Sequence, residues 1–325
     1  MQTNGDEPVR VVPVRHYGRW AGGVSVVVLL AMLVHSLFSK IENGAYVCDS
    51  SGNHCFTKMG WRFQWDVVFH YFSTSMILHG LLMTLELTVL SMALGVFLGV
   101  VVTLMRLSPS RVLSMPAWSY TWFFRGTPVY VQLLFWFNVA ALFPEISLGI
   151  PFTHVTFATL VLRGRITPFV AALFGLGLNE GAYMSEIVRG GIKAVDEGQI
   201  EASLSLGLTR LQTMRLVVLP QAMRVIIPPT GNEVISMLKT TSLASALALV
   251  ELLKAAQNIY SANYEIIPLL IVASLWYLIV TTVLSVGQYY VERHFAKGSL
   301  RNLPPTPFER LKSDLARLNG TRGAA

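Results

Sequence analysis

The segment DEGQIEASLSLGLTRLQTMRLVVLP, residues 196–220, is polar and charged and lies between long apolar regions. Asp196 is a good N-cap residue, and Gly207 is typical of the end of a helix. Thr209 can cap a second helix, with Gln212 at the reciprocal position of a capping box. The segment therefore predicts a short helix, a glycine turn and a second short helix that the final proline limits, all outside the bilayer.

The same segment resembles the cytoplasmic coupling loop of bacterial ABC importer permeases. The signature of that family is Glu-Ala-Ala, three residues, Gly, nine residues, Ile, one residue and Leu-Pro. Glu201, Ala202 and Gly207 match it, and Leu219 and Pro220 close it. Ser replaces the second Ala and Val replaces the Ile. The resemblance implies that these five residues couple the chain to an ATPase. The alternative is an ordinary amphipathic hairpin on a membrane surface.

The composition is that of a membrane protein. Of the 325 residues, 53% are hydrophobic and 13% are charged, whereas soluble domains carry about 25% charged residues. The formal net charge is +7. The basic residues form no stripe interleaved with aromatic residues, which argues against a nucleic-acid-binding protein. A single polytopic helical bundle fits the apolar runs better.

The apolar pattern predicts an all-α membrane protein with six transmembrane helices, since a span needs roughly 17 to 25 apolar residues. The six segments are residues 20–38, 78–105, 121–143, 168–188, 226–253 and 266–290. A signal peptide is the alternative for the first, but its length and the absence of a small-residue cleavage site favour an uncleaved span. In the fifth, Pro228, Pro229 and Gly231 argue against a regular helix start, so this segment is expected to be buried in protein.

The distribution of Lys and Arg predicts the topology. If both termini are cytoplasmic, 18 of the 25 basic residues lie on cytoplasmic segments and 6 on outer segments. This bias agrees with the positive-inside rule, although Arg163 and Arg165 are exceptions. The predicted location is a bacterial cell membrane, with residues 196–220 in the cytoplasm.

The predicted outer loop, residues 39–66, contains both cysteines in the sequence CDSSGNHC. The turn-forming residues between Cys48 and Cys55 allow the chain to reverse and bring the two thiols together. On an outward-facing loop this predicts a disulfide. A metal site that includes His54 is the weaker alternative, because a fourth ligand is missing.

Three further segments resemble the polar amino-acid subgroup of these permeases, the His/Gln/Glu/Arg type. They are FFRGTP followed by Gln132, GLNEGAYMSEIVRGGI, and KTTSLAS. Polar residues in or near spans are expensive, so Glu86, Gln132, Asn179 and Lys239 are candidates for the substrate path. The alternatives are structural: Glu86 could pair with Lys239, and Gln132 could join neighbouring helices.

The sequence has no GxxxxGK[ST] phosphate loop, no HExxH and no GxSxG motif. A permease subunit that is not itself an enzyme, with no cofactor and no metal, is therefore expected. The main alternative is a secondary transporter or channel independent of an ATPase, although no inverted halves are evident. An intramembrane enzyme comes third.

The resemblance implies a type I ABC importer permease core with one extra N-terminal span. The predicted divisions are residues 1–66 with the first span and the cysteine loop, the core 67–295, and a basic, disordered tail 296–325. The expected partners are two copies of an ABC ATPase subunit, a second permease subunit of the same or a similar chain, an extracytoplasmic amino-acid-binding protein and the lipid bilayer.

Overall fold

The computed structural model describes residues 17–48, 55–61, 63–149, 156–162 and 164–296. The chain forms two compact units, Met1–His70 and Tyr71–Ala325. The predicted basic tail beyond Ala296 lies outside the described residues, as do Arg163 and residues 1–16.

The first unit contains a helix and a β-hairpin. Helix α1, Tyr17–Phe38, covers the first predicted span. The predicted outer loop instead forms two antiparallel strands, β1 (Lys40–Cys48) and β2 (Cys55–Trp61). Helix α2, Trp65–Phe72, follows the hairpin and crosses into the second unit. The all-α prediction therefore missed strands in this region.

In its described residues, the second unit consists of helices, the turns between them and one β-hairpin. Its helices are α3 (Ser75–Leu107), α4 (Arg111–Gly126), α5 (Val129–Leu142), α6 (Pro168–Lys193), α7 (Glu197–Ser205), α8 (Arg210–Thr213), α9 (Leu219–Thr240), α10 (Leu252–Asn263) and α11 (Ile266–Ala296). The hairpin consists of β3 (Glu145–Gly149) and β4 (Thr156–Val161). A π-helical turn, Met214–Val218, joins α8 to α9, and a 3₁₀ segment, Thr241–Leu247, follows α9.

Among the described residues, two helices are long and apolar enough to cross a membrane, namely α3 and α11. A third span is obtained if the helical segments 210–247 and 252–263, which are bent by 46° relative to each other, count as one. The prediction of six spans is therefore not reproduced by length and composition, and it stays a prediction.

The third predicted span, residues 121–143, is broken in two. Helix α4 ends at Gly126, and α5 begins at Val129 after an extended Thr127 with φ −112° and ψ 144°. A residue before proline is biased toward extended geometry, and Pro128 cannot donate a backbone hydrogen bond. Gly126 and Pro128 are residues expected to break helix regularity near the membrane edge, and the helix is interrupted at this Gly-Thr-Pro sequence.

Two predicted interruptions in the next region were wrong. Pro220 does not end the second hairpin helix, because it occupies the first turn of α9, where a proline is tolerated. Nor do Pro228 and Pro229 prevent a helix, since both lie inside α9. The Gln288 side chain donates to the carbonyl of Pro228 at 3.3 Å. This bond joins α9 to α11 within the bundle.

Helices α3 and α6 form the centre of the second unit and run in the same direction. A Cβ at Gly95 would lie 2.5 Å from Glu180 Cγ, and one at Gly99 would lie 2.5 Å from Met184 Cβ. The buried Thr103 hydroxyl crosses between the helices and lies 2.8 Å from the carbonyl of Ser185. Small residues thus allow the close approach that packing in lipid favours.

Candidate functional site

The break between α4 and α5 is held by one buried amide. Gln132 Nε2 lies 2.9 Å from the carbonyl of Phe124, 3.1 Å from that of Thr127 and 2.7 Å from Thr127 Oγ1. Asn179 on α6 donates to the same Phe124 carbonyl at 2.8 Å and lies 3.3 Å from Gln132 Oε1. Two of the predicted path residues, Gln132 and Asn179, therefore meet, and together they fix the end of α4.

A cavity of about 550 Å³ lies beside this break. Its volume is within the range of about 300–1,000 Å³ that is usual for small-ligand pockets. Three helical regions line it: the α4–α5 break, the middle of α6 and the second half of α9. The lining residues that carry polar side chains are Arg125, Thr127, Asn179, Glu180, Tyr183, Glu233, Ser236 and Thr240.

Glu180 is the most unusual residue of this cavity. It is only 5% exposed, and its Oε1 atom has no hydrogen-bond partner among the residues that the structure describes. Buried polar atoms are nearly always hydrogen-bonded, so an unpartnered carboxylate oxygen requires a specific explanation. Glu233 is a second carboxylate on the cavity wall. Both are ionisable residues within predicted spans, where they are costly, but the sequence does not indicate that they share a cavity.

The other two predicted path residues lie elsewhere. Glu86 and Lys239 are both exposed and do not line the cavity. No ion pair joins them in the described part of the chain, so the structural Glu86–Lys239 pair is not observed. Both residues are exposed in the single subunit, and their role in the substrate path stays a prediction.

Three arginines share the carboxylate of Glu186. Arg106 forms an ion pair with Glu186, Arg189 Nε donates to Oε2 at 3.0 Å, and Arg125 Nη1 lies 3.8 Å from Oε1. The Arg125 guanidinium also lies 5.4 Å from the centre of the Tyr183 ring. Of these partners, only Arg189 could be inferred from sequence spacing, because it lies three residues along the same helix. The cluster, which we call the arginine cluster, joins α3, α4 and α6.

The polar hairpin has the predicted caps. The Asp196 side chain accepts from the backbone of Gly198 at 2.8 Å, and Gly207 ends the first helix with φ +84°. Thr209 N donates to Gln212 Oε1 at 2.9 Å, and Gln212 N donates to Thr209 Oγ1 at 3.4 Å, which is a complete capping box. The local signals in the sequence were therefore sufficient here.

One side of the hairpin is buried and the other is open. Val195 and Val218 pack with α6, and the Ser203 hydroxyl lies 2.9 Å from that of Thr213, which ties α7 to α8. On the open side, Leu206 is 84% exposed and Leu211 is 78% exposed. The exposed members of the predicted coupling set are Glu201, Ala202, Gly207, Leu219 and Pro220. An exposed apolar surface rimmed by polar residues is typical of a protein interface.

The strand register of the first unit places Cys48 opposite Cys55. Directly opposed residues in antiparallel strands have Cα atoms about 4.5–5.5 Å apart. Disulfides need about 4.4–6.8 Å between Cα atoms. The backbone is thus compatible with the predicted bond, which itself stays a prediction.

Residues 91–297 match the family described as the binding-protein-dependent transport system inner membrane component. The chain belongs to this family of membrane transport proteins. The matched region contains the hairpin, the arginine cluster, and the Glu180 and Glu233 side of the cavity.

Curated relatives extend the match beyond that region. The arginine transport system permease protein ArgU of Corynebacterium glutamicum is 46% identical over 299 residues, covering 91% of this chain and 86% of ArgU. The nopaline transport system permease protein NocM of Agrobacterium fabrum is 38% identical, covering 62% of this chain and 80% of NocM.

The fold also has a solved relative. The crystal structure of an amino acid ABC transporter with histidines contains a chain that is 35% identical, with a TM-score of 0.59. The match covers 73% of this chain and all of that one. The permease architecture predicted from the hairpin signature is thereby confirmed at the level of the fold.

Proposed function

We propose that this chain is the permease subunit of an ATP-driven importer that carries a cationic amino acid through the Glu180 cavity. The observation that carries the substrate class is the unpartnered Glu180 Oε1 in a cavity that also contains Glu233. A buried carboxylate without a partner is destabilising unless a cation or a hydrogen-bond donor reaches it. An amino acid supplies an α-ammonium group, and a basic side chain supplies a second cation.

The similarity to ArgU, an arginine system permease, agrees with this substrate class. Gln132 and Asn179 act as positioning residues, because they hold the α4–α5 break that forms one wall of the cavity. Arg125 also lines this cavity.

The energy for transport comes from a separate ATPase, to which the exposed side of the hairpin docks. In this proposal a second permease subunit completes the path, and an extracytoplasmic protein delivers the amino acid. The chain has six spans with both termini in the cytoplasm. Residues 1–66 form an addition to the core 67–295, and the tail 296–325 is basic. The bias of basic residues supports this orientation.

The test is uptake by proteoliposomes that contain the complete transporter, with arginine and glutamine as competing substrates. Removing one ion pair from a buried site typically weakens the interaction by about 1.4 kcal/mol or more, which is tenfold. We therefore expect Glu180→Gln to lower arginine uptake about tenfold relative to glutamine. Glu233→Gln should act in the same direction, and Glu145→Gln, on an exposed strand, is the matched control.

Two outcomes would contradict different parts of the proposal. Unchanged arginine uptake in both cavity variants would show that the substrate does not depend on the Glu180 cavity. Stimulation of wild-type ATP hydrolysis by glutamine and not by arginine would contradict the cationic substrate class. It would leave the proposal of an ATP-driven importer unaffected. Uptake without any ATPase subunit would favour a secondary transporter.

A further inference from the structure

A second pocket lies beside the arginine cluster and extends along α4 to its last residue, Gly126. Its volume is about 380 Å³, and Arg106, Trp118, Thr121, Trp122, Arg125, Gly126, Tyr183 and Glu186 line it. This volume is again within the range of about 300–1,000 Å³ that small ligands occupy. It shares Arg125, Gly126 and Tyr183 with the Glu180 cavity but contains neither Glu180 nor Glu233.

The charge at this pocket is unbalanced. Three guanidinium groups surround the single carboxylate of Glu186, which leaves two positive charges in excess. Arg106 and Arg189 are mostly buried by neighbouring helices, whereas the Arg125 side chain is 45% exposed. Arginine presents a planar set of donors that suits phosphate oxygens. The cluster therefore has an unused capacity for an anion.

The mouth of the pocket is aromatic. Trp118 and Trp122 are 55% and 66% exposed, and their rings are stacked with centroids 6.3 Å apart. Arg106 is the last residue but one of α3, which qualifies as a membrane span, so the pocket lies near one end of that span. Tryptophan is enriched at the level of lipid headgroups. Basic pockets between membrane helices bind anionic lipid headgroups.

We infer that this pocket binds the phosphate of an anionic phospholipid, with Arg125 and Arg106 on the phosphate and Trp118 and Trp122 beside the glycerol and upper acyl chain. The negative phosphate offsets the excess charge of the cluster. Exposed apolar residues on the same helix, Val112 and Met115, extend the surface toward the acyl chains. The inference is independent of which amino acid the transporter carries.

The experiment is native mass spectrometry of the purified transporter, titrated with phosphatidylglycerol or phosphatidylcholine. We expect wild type to retain phosphatidylglycerol preferentially. A basic residue near a membrane surface contributes about 1 kcal/mol to binding anionic lipid, so Arg125→Gln should weaken retention about fivefold. Replacing Trp118 and Trp122 together by Leu should also weaken it, without altering any residue of the Glu180 cavity.

Two matched controls separate the pocket from general surface effects. Arg111→Gln removes another exposed arginine of α4 that does not line the pocket, and Phe97→Leu removes an exposed aromatic ring on α3. Both should retain phosphatidylglycerol as wild type does. Equal retention of the two lipids, or an equal loss in Arg111→Gln and Arg125→Gln, would overturn the inference. So would displacement of the lipid by millimolar inorganic phosphate or acetate, because the site would then take small soluble anions.

Discussion

Gly99 determines how closely α3 and α6 approach each other. A Cβ at this position would lie 2.5 Å from Met184 Cβ and 3.0 Å from the backbone of Met184 and Ser185. The obstacles are therefore partly main-chain atoms, which cannot rotate away. Because the Glu180 side chain of α6 packs against Gly95 of α3, the spacing of these two helices also determines where Glu180 is held.

We predict that Gly99→Ala lowers the free energy of unfolding by about 1–3 kcal/mol, as overpacking of a well-packed interface does. Gly190→Ala on α6 is the matched control, since nothing lies within 4 Å of the added methyl group. Replacing a mid-helix glycine by alanine without a clash stabilises by about 0.5–1 kcal/mol. Thermal denaturation of the two purified variants measures the difference, and similar melting temperatures would contradict the prediction.

The sequence identified which polar residues are expensive in a membrane, but not which of them share a cavity. Glu86, Glu180 and Glu233 all interrupt apolar segments, and their local sequences do not distinguish them. Only the packing of α6 against α9 brings Glu180 and Glu233 to one cavity while it leaves Glu86 exposed. Contacts between distant segments are not encoded in the local pattern, so this part of the site could not be predicted.

At the scale of elements, the hairpin of α7 and α8 could be predicted from the local sequence, unlike the cavity. Its caps and its glycine turn depend on residues within four positions of each other, and the sequence predicted all of them. What the sequence missed was the continuation into α9, because the neighbours that stabilise a helix around its prolines lie far away in the chain.

Gly207 is the residue on which the hairpin turn depends. Its φ of +84° is unfavourable for residues with a Cβ, by about 1–2 kcal/mol. We predict that Gly207→Val leaves the complex assembled but reduces substrate-stimulated ATP hydrolysis. Gly207→Asn is the control, because Asn adopts this conformation more readily and should retain most of the stimulation. Hydrolysis at the wild-type level in the Val variant would show that the turn geometry does not matter for coupling.

The β1–β2 hairpin leads to a prediction about its two cysteines. A disulfide between Cys48 and Cys55 closes a short loop and stabilises by about 2 kcal/mol. We expect neither thiol in intact cells to react with a membrane-impermeant maleimide until a reductant is added. In Cys48→Ser, the remaining Cys55 should label without reductant, which verifies that the hairpin faces outward. Labelling of both thiols in untreated wild type would exclude the disulfide.

At the scale of the whole molecule, Glu86 is a residue that folding of the single subunit leaves without an ion pair among the described residues, so its role belongs to the assembled transporter. It lies five residues, or about 8 Å at 1.5 Å per residue, from the midpoint of α3, which is within a bilayer core about 30 Å thick that is centred on this helix. A carboxylate exposed at that depth is unfavourable by about 2.5–3.5 kcal/mol on insertion scales. Folding of the single chain does not relieve this, because Glu86 has no ion pair with Lys239 in the described residues.

We therefore predict that Glu86→Gln and Lys239→Met each express at the wild-type level, and that any loss is confined to uptake. Glu251→Leu is the contrasting variant. The Glu251 carboxylate is fully buried and accepts from the backbone of Leu253 and Lys254 at 2.8 and 2.7 Å, so its loss should destabilise by about 1–3 kcal/mol. Expression that falls in the Glu86 and Lys239 single variants and recovers in the double variant would re-establish the structural pair.

The π turn at Met214–Val218 sets the rotation of α9 about its own axis. A π turn amounts to one additional residue within an α-helix, and each residue advances the helix by about 100° around its axis. Everything beyond the turn is therefore rotated by that amount relative to an uninterrupted helix. The direction around the axis of α9 in which Glu233 lies is thus set by the number of residues between Glu233 and the hairpin. Side-chain substitutions between the hairpin and Glu233 would preserve this rotation. Deletion of a single residue there would change it.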